Sequence, residues 1–215
     1  MYSARLNKLV ALIPPCEVLA DVGCDHGYVG IQALRLGKVK RVAFTDISQP
    51  SLAKARHNCP REFGEVTSFY CQDGLGEVVA DCAVIAGMGG LEIISILTQA
   101  RHLPEKLVLQ PMRNQRDVRK YLTQGYRIVT DVKFFDGKYY DAIFALKCNT
   151  PQALTEEELE FGLTNIEQPS ADFISYLQHE QTKLNKILEG TKDNEVSARR
   201  DLVEQTLKHA LTKHT

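Results

Sequence analysis

The stretch Leu19-Ala-Asp-Val-Gly-Cys-Asp-His-Gly-Tyr-Val-Gly30 constrains this chain more than any other. An apolar run, Val18 to Val22, breaks into glycines and acids, and an apolar-periodic segment (Val29, Ile31, Ala33, Leu34, Leu36) follows at once. This is the pattern of strand, glycine turn and helix. Gly23 and Gly27 carry no Cβ, so a ligand can come close to the backbone. A turn of this kind predicts a nucleotide-binding, doubly wound α/β domain.

The rest of the chain alternates in the same way. Leu6, Leu9, Val10 and Ile13 fall at helical spacing, and Pro14-Pro15 stops them. Arg41–Thr45 reads as a second strand ending at Asp46, after which Ser48 caps a helix with Pro50 in its first turn. Val66–Tyr70 reads as a third strand, closed by Gln72-Asp73-Gly74. Cys82–Ala86 is a fourth, running into Gly87-Met-Gly-Gly90 and a helix marked by Leu91, Ile94 and Leu97. A fifth, Lys106–Gln110, stops at Pro111 and precedes a helix over 114–124. Tyr126–Phe135 and Tyr139–Lys147 are joined by Asp136-Gly137, a hairpin signal. β-α repeated about five times and then a hairpin predicts a class I (Rossmann-like) methyltransferase fold, a seven-stranded mostly parallel sheet with an antiparallel last strand.

After Pro151 the pattern changes to charged amphipathic helices. Thr155 and Glu158 form a capping box; Phe173, Leu177, Leu184, Ile187 and Leu188 mark one helix, and Val196, Val203, Leu207 and Ala210 another. The expected division is a methyltransferase domain over 1–150 and a coiled-coil-like helical hairpin over 151–215. Whether that hairpin grips a partner or self-associates is left open, and a monomer or weak dimer is expected. The net charge of −1 advertises no global nucleic-acid affinity, so any such site is a local patch. Six cysteines without a C-x-x-C pair suit free thiols in a reducing compartment. No apolar secretory stretch follows Met1, and no window approaches a membrane span of ~18 residues. A cytoplasmic protein without membrane or metal attachment is expected.

The acids identify the cofactor. A dinucleotide fingerprint wants G-x-G-x-x-G, but here Asp25 stands where the second glycine belongs, and a carboxylate repels a pyrophosphate. S-adenosylmethionine instead carries a sulfonium and an ammonium group. Asp21, ending the first strand, takes the place of an acid anchoring the methionine moiety. Asp46 has the position of a ribose-binding acid, with Ile47 beside it, and Asp73 with Gln72 and Gly74 that of an adenine-binding group. Gly23, Cys24, Gly27 and Gly87 complete the expected cofactor contacts. Met88, Gly89 and Gly90 follow the fourth strand, where glycines open the backbone toward an acceptor.

Taken together, Leu19-Ala-Asp-Val-Gly-Cys-Asp-His-Gly-Tyr, Gln72-Asp-Gly-Leu, Ile85-Ala-Gly-Met-Gly-Gly, Leu109-Gln-Pro-Met and Gly137-Lys-Tyr-Tyr resemble the bacterial TrmK family. The resemblance covers nearly the whole chain. It implies transfer of a methyl group to N1 of adenine 22 in tRNA. Met112 stands where the family often has Asn, and Cys24 where it commonly has Ser.

Adenine N1 has a free lone pair, so positioning and electrostatics dominate, and a base whose Watson–Crick edge reacts must be turned into the pocket. Asp25 is the first candidate to stabilise the cationic product or take the N6 proton, and His26 the second. Tyr28 is a stacking candidate and Pro111 lies at the acceptor side. Arg113, Arg116 and Lys120 are expected to share a helical face toward phosphates, with Arg119 beside them. Arg199, Arg200 and Lys192 could grip tRNA from the hairpin. Alternatives left open are a methyltransferase for another RNA, a protein or a small molecule, and a non-catalytic cofactor-binding adaptor.

Overall fold

The computed structural model describes residues 2–213; positions 1, 214 and 215, the outermost of the two expected segments, lie outside it. Helix α1 (Ala4–Leu12) starts at Ser3, whose hydroxyl accepts the Leu6 N–H. At its other end Lys38 Nζ donates to the carbonyls of Val10, Ala11 and Ile13. Then follow β1 (Cys16–Val22), α2 (Tyr28–Arg35), β2 (Val39–Asp46), α3 (Gln49–Asn58), β3 (Thr67–Cys71), β4 (Cys82–Met88), α4 (Gly90–Gln99), β5 (Lys106–Pro111), α5 (Gln115–Leu122), β6 (Tyr126–Phe135) and β7 (Tyr139–Lys147).

The strands form one sheet in the order β3-β2-β1-β4-β5-β7-β6. β1 to β5 are parallel, and β7 runs antiparallel to both β5 and β6. The chain winds outward from β1 to β3 and restarts beside β1 with β4. That reversal opens a crevice between the carboxyl ends of β1 and β4, where ligands of open α/β sheets bind. On one face Leu9, Ile13, Ile31, Leu34 and Leu52 pack on Leu19, Phe44 and Val84. On the other, Leu75, Ile93, Leu97, Val118 and Leu122 pack on Ala20, Val22 and Ile85.

Two expectations about elements are corrected. The β3–β4 connection carries no helix: residues 72–81 form a loop in which Gly74 and Gly76 adopt φ of 57° and 50°. Two left-handed glycines do not sustain a helix here, and Leu75 and Val78 plug the face that a helix would cover. In α4 the buried face is Gly90, Ile93, Ile96 and Leu97, while Leu91 is 60% exposed. Its phase is set by Gly90, whose N–H donates to the Arg113 carbonyl at 2.9 Å and whose missing Cβ leaves room for the Arg113 and Asn114 carbonyls.

The last part comprises α6 (Glu156–Phe161), α7 (Leu163–Glu167), α8 (Ala171–Leu188) and α9 (Asn194–Lys213), with the Thr155/Glu158 capping box formed. Phe161, Phe173, Leu177, Leu184, Val203 and Leu207 give these helices an apolar core of their own. They also cover the sheet edge. The N–H groups of Asp131, Lys133 and Phe135 on β6 donate to Thr164 Oγ1, Asn165 Oδ1 and Asp172 Oδ2. Side chains thus occupy the donors that an exposed edge strand would offer another chain. Beneath them Arg119 is fully buried between Asp131 and Asp141, with Lys133 paired to Asp141. Burial alone would raise Asp141, but Lys133 and Arg119 together hold its carboxyl below the usual carboxylate range. Arg119 is therefore a structural cation, not a surface group facing phosphate.

Candidate active site

The glycine turn lies at the crevice. Gly23, Asp25 and Gly27 all take left-handed φ values of 65°, 42° and 69°. The turn is laced to β2: Gly23 and Cys24 N–H both donate to the Thr45 carbonyl, and Asp46 Oδ2 accepts the Asp25 N–H at 3.1 Å. Asp46 Oδ1 accepts from Ser48 N–H at 2.8 Å, so each of its oxygens holds a backbone donor and keeps a lone pair for a ligand. A Cβ on Gly23 would sit 2.0 Å from the Met88 methyl group; this glycine makes room across the crevice.

Beside the turn is a cavity of about 420 Å³ lined by Asp21, Gly23, Cys24, Asp25, His26, Tyr28, Gly87 and Met88. Eight of the residues selected from sequence thus share one space. Asp21 is 5% exposed and its Oδ2 accepts the Gly30 N–H at 2.9 Å. Burial, aided by the nearby Asp46 charge, pushes its carboxyl up to about 7 against the Gly30 bond. Burial and the Asp21 and Asp46 charges push the Cys24 thiol far up, so it stays protonated and is not a nucleophile.

His26 and Tyr28 rings stack 5.2 Å apart at 6°, with Tyr2 5.8 Å beyond Tyr28. Asp25 is exposed and paired with Lys54 at 3.0 Å, an association that no local motif signals. The remaining selected groups lie around the rim. Ile47 is 72% exposed at the end of β2. Asp73 is exposed in the loop beyond β3, whereas Gln72 Nε2 donates to the Leu75 carbonyl and braces that loop. Gly74 lets the loop close on Ile96.

On the acceptor side Pro111 is buried and Gly89 underlies the Arg113 side chain, whose Nε would be 3.2 Å from a Cβ there. Arg113 precedes α5 rather than sharing its face, because Asn114, at φ 58°, turns the chain before the helix starts. Arg116 pairs with Glu156, and Lys120 is exposed one turn on. Arg199 is engaged by Glu160 and Glu180, and Arg200 by Asp201. Sequence reasoning missed Ser3, which caps α1, and Arg5, Leu6 and Leu9 within it, which also line the cavity. Their helical periodicity was legible, but nothing local to it says that α1 covers the crevice.

The donor set fits S-adenosylmethionine. Gly23 and Gly27 provide a backbone cradle, and three carboxylates, Asp21, Asp25 and Asp46, face positive charge better than diphosphate. Among the described residues no cluster of His, Cys, Asp or Glu is placed to hold a metal ion, and no helix is long and apolar enough to cross a membrane.

Comparison with known proteins agrees in kind. A family model described as a methyltransferase domain matches residues 2–143. The tRNA (adenine(22)-N(1))-methyltransferase of Bacillus subtilis is 31% identical over 153 residues, 66% of this chain and 64% of that one. The structure of M. capricolum TrmK with S-adenosylhomocysteine superposes with a TM-score of 0.87 at 27% identity, covering 98% of this chain and 99% of that chain. The B. subtilis m1A22 tRNA methyltransferase TrmK shares the fold, at a TM-score of 0.78 and 24% identity over 96% and 99% of the two chains.

Proposed function

Because this chain belongs to the methyltransferase-domain family, in its TrmK branch, we propose that it methylates N1 of adenine 22 in tRNA. It is an S-adenosylmethionine-dependent methyltransferase. The observation that carries the reading is the buried Asp21 beneath a glycine turn that opens, with Met88 and Gly87, into one cavity at the β1/β4 crevice.

S-adenosylmethionine supplies an electrophilic methyl group when bound. The residues of the chain then hold charge and exclude water. Asp21 and the turn backbone take the amino-acid end, Asp46 with Ile47 the ribose, and Asp73, Gln72 and Gly74 the adenine end. The acceptor base needs its N1 lone pair free, so it enters unpaired. His26 and Tyr28 give it a stacking surface, and the backbone of Met88, Gly89 and Gly90 faces it. The product carries a positive charge; Asp25 is proposed to stabilise it, or to accept an N6 proton, with His26 as the other candidate. Arg113, Arg116 and Lys120 provide phosphate contacts. The boundary near residue 150 belongs to the same proposal, the catalytic part preceding it and the helical part following.

The test is methyl transfer to tRNA transcripts in which adenine 22 is replaced. Transfer should vanish, and the modified base should be absent by mass spectrometry. Undiminished transfer overturns the assignment.

A further inference from the structure

A second cleft opens at the catalytic end of the sheet, between the start of α5, the β6–β7 hairpin and helices α8 and α9. Its volume is about 370 Å³, at the small end of the ~300–1,000 Å³ range of ligand pockets. Two members of the buried network line it: Lys133, 8% exposed, and Asp141, 2% exposed. Tyr139 and Tyr176 form an aromatic wall, their rings edge to face at 5.3 Å. The Tyr139 hydroxyl meets Ser175 at 2.8 Å, and the Lys133 ammonium lies 4.1 Å over the Tyr176 ring. Among the described residues the Tyr176 hydroxyl has no hydrogen-bond partner. Burial and the Glu180 charge push this phenol up, so it stays a donor. On the α5 side Asn114, at a left-handed φ of 58°, donates its amide to Asp117 Oδ2 at 3.1 Å. Asp117 Oδ1 is left as an open acceptor.

The charges of the cleft cancel. Arg116, Lys133 and Arg199 face Asp117, Asp141 and Glu160, so a phosphate meets as many anions as cations. A neutral planar group with donors and acceptors along its edge, set against aromatic rings, suits this lining better. That is the chemistry of an unstacked nucleobase. The placement agrees. Met88 of the crevice pairs with Pro111 of β5, and β7 starts beside the end of β5. The cleft is therefore about two strand spacings, ~10 Å, from the crevice. Arg113 connects the two, its side chain over Gly89 and Asn114 its next residue. An RNA strand with one base in the crevice carries that base's neighbours past this cleft. We propose that the cleft holds a second unpaired base of the RNA, a neighbour of the methylated adenine, with Tyr176 and Asp117 contacting its edge. The inference rests on the tRNA reading above and adds a place where the substrate is checked beyond the reacting base.

The experiment uses the full chain and tRNA transcripts in which each nucleotide flanking the methylated adenine is made abasic in turn. At one flanking position the wild type should bind about 5- to 100-fold more weakly, the range for one stacked base. Tyr176→Phe keeps the ring and its packing. It should raise the KM for intact tRNA about 2- to 10-fold, the range for one hydrogen bond, with S-adenosylmethionine affinity unchanged. Asp117→Asn should do the same. On the sensitive abasic RNA neither substitution should cost anything further, because the base it meets is gone. If Tyr176→Phe weakens intact and abasic RNA alike, its role is structural and the proposal is overturned. A scan in which no flanking position matters overturns it too, and leaves the tRNA reading standing. A wild type that methylates neither intact nor abasic tRNA refutes both.

Discussion

Replacing Arg119 by Met tests how the helical segment is fastened to the sheet. Its guanidinium makes five hydrogen bonds: two to Asp131, one to Asp141, and one each to the carbonyls of Leu159 and Glu160. The buried network has two cations, Arg119 and Lys133, and two anions, Asp131 and Asp141. In Arg119→Met, Asp141 keeps Lys133 at 2.5 Å, but Asp131 loses its charge partner in a place that water does not reach. Removing one member of a buried pair costs about 3–5 kcal/mol. For a chain of this size that is a fall of roughly 6–20 °C in Tm, at about 2–4 °C per kcal/mol. The second variant makes the reasoning refutable. Adding Asp131→Asn removes the bare charge and leaves Lys133–Asp141 balanced, so the double variant should be more stable than Arg119→Met by at least about 1 kcal/mol. Circular dichroism melts and urea titrations measure both, with S-adenosylhomocysteine binding as the control for an intact crevice. A loss under about 1 kcal/mol for the single variant, or a double variant that falls further, refutes the account.

The remaining predictions concern the site. Asp21 has a folded-state pKa of about 7, above its unfolded value, so the unliganded fold gains stability as pH falls through 7 and loses it above. A ligand ammonium group beside Asp21 favours the ionised form, so affinity for S-adenosylhomocysteine should rise between pH 6 and 8, with proton release at pH 6 seen by calorimetry in two buffers. Asp21→Asn should bind about 10- to 100-fold more weakly with a flat pH profile, yet melt higher than wild type at pH 8 without ligand. Gly23→Ala forces a Cβ into a left-handed turn and against the Met88 methyl; about 1 kcal/mol of stability should go, and cofactor affinity with it, as Met88 moves. Arg113→Glu should raise the KM for tRNA and lower the salt dependence of binding while leaving cofactor affinity unchanged, which filter binding at several salt concentrations reads directly.

The strands were legible because each is a short apolar run bounded by glycine, proline or acid, and the hairpin because Asp136-Gly137 separates two runs of opposite direction. The missing β3–β4 helix was not, since Leu75, Val78 and Val79 have spacing compatible with a helix until Gly74 and Gly76 are given their φ values. Asp21, Asp46 and Asp73 stood out because they fall at or just past successive strand ends, a one-dimensional signal; Asp21 lines the cavity and Asp46 holds the glycine turn, while Asp73 is exposed in the loop beyond β3. Arg5, Lys54 and the Arg119 network were hidden for the opposite reason. Their partners lie 105, 29 and 12 or more residues away, and a lone basic residue on an amphipathic helix reads the same whether it meets water or a buried carboxylate.

The tether of α1 sets the order in which a growing chain becomes competent. Ser3, Arg5, Leu6 and Leu9 are made well before their partners: Arg5 is fixed by Gln110, by Tyr140 and by an Asp136 that lies 131 positions downstream. The glycine turn can close on β2 as soon as Thr45 and Asp46, its partners, have emerged. The roof over it cannot settle until the β6–β7 turn has emerged. The floor of the crevice thus comes early and its α1 roof late, and a nascent chain halted before that hairpin has the one without the other.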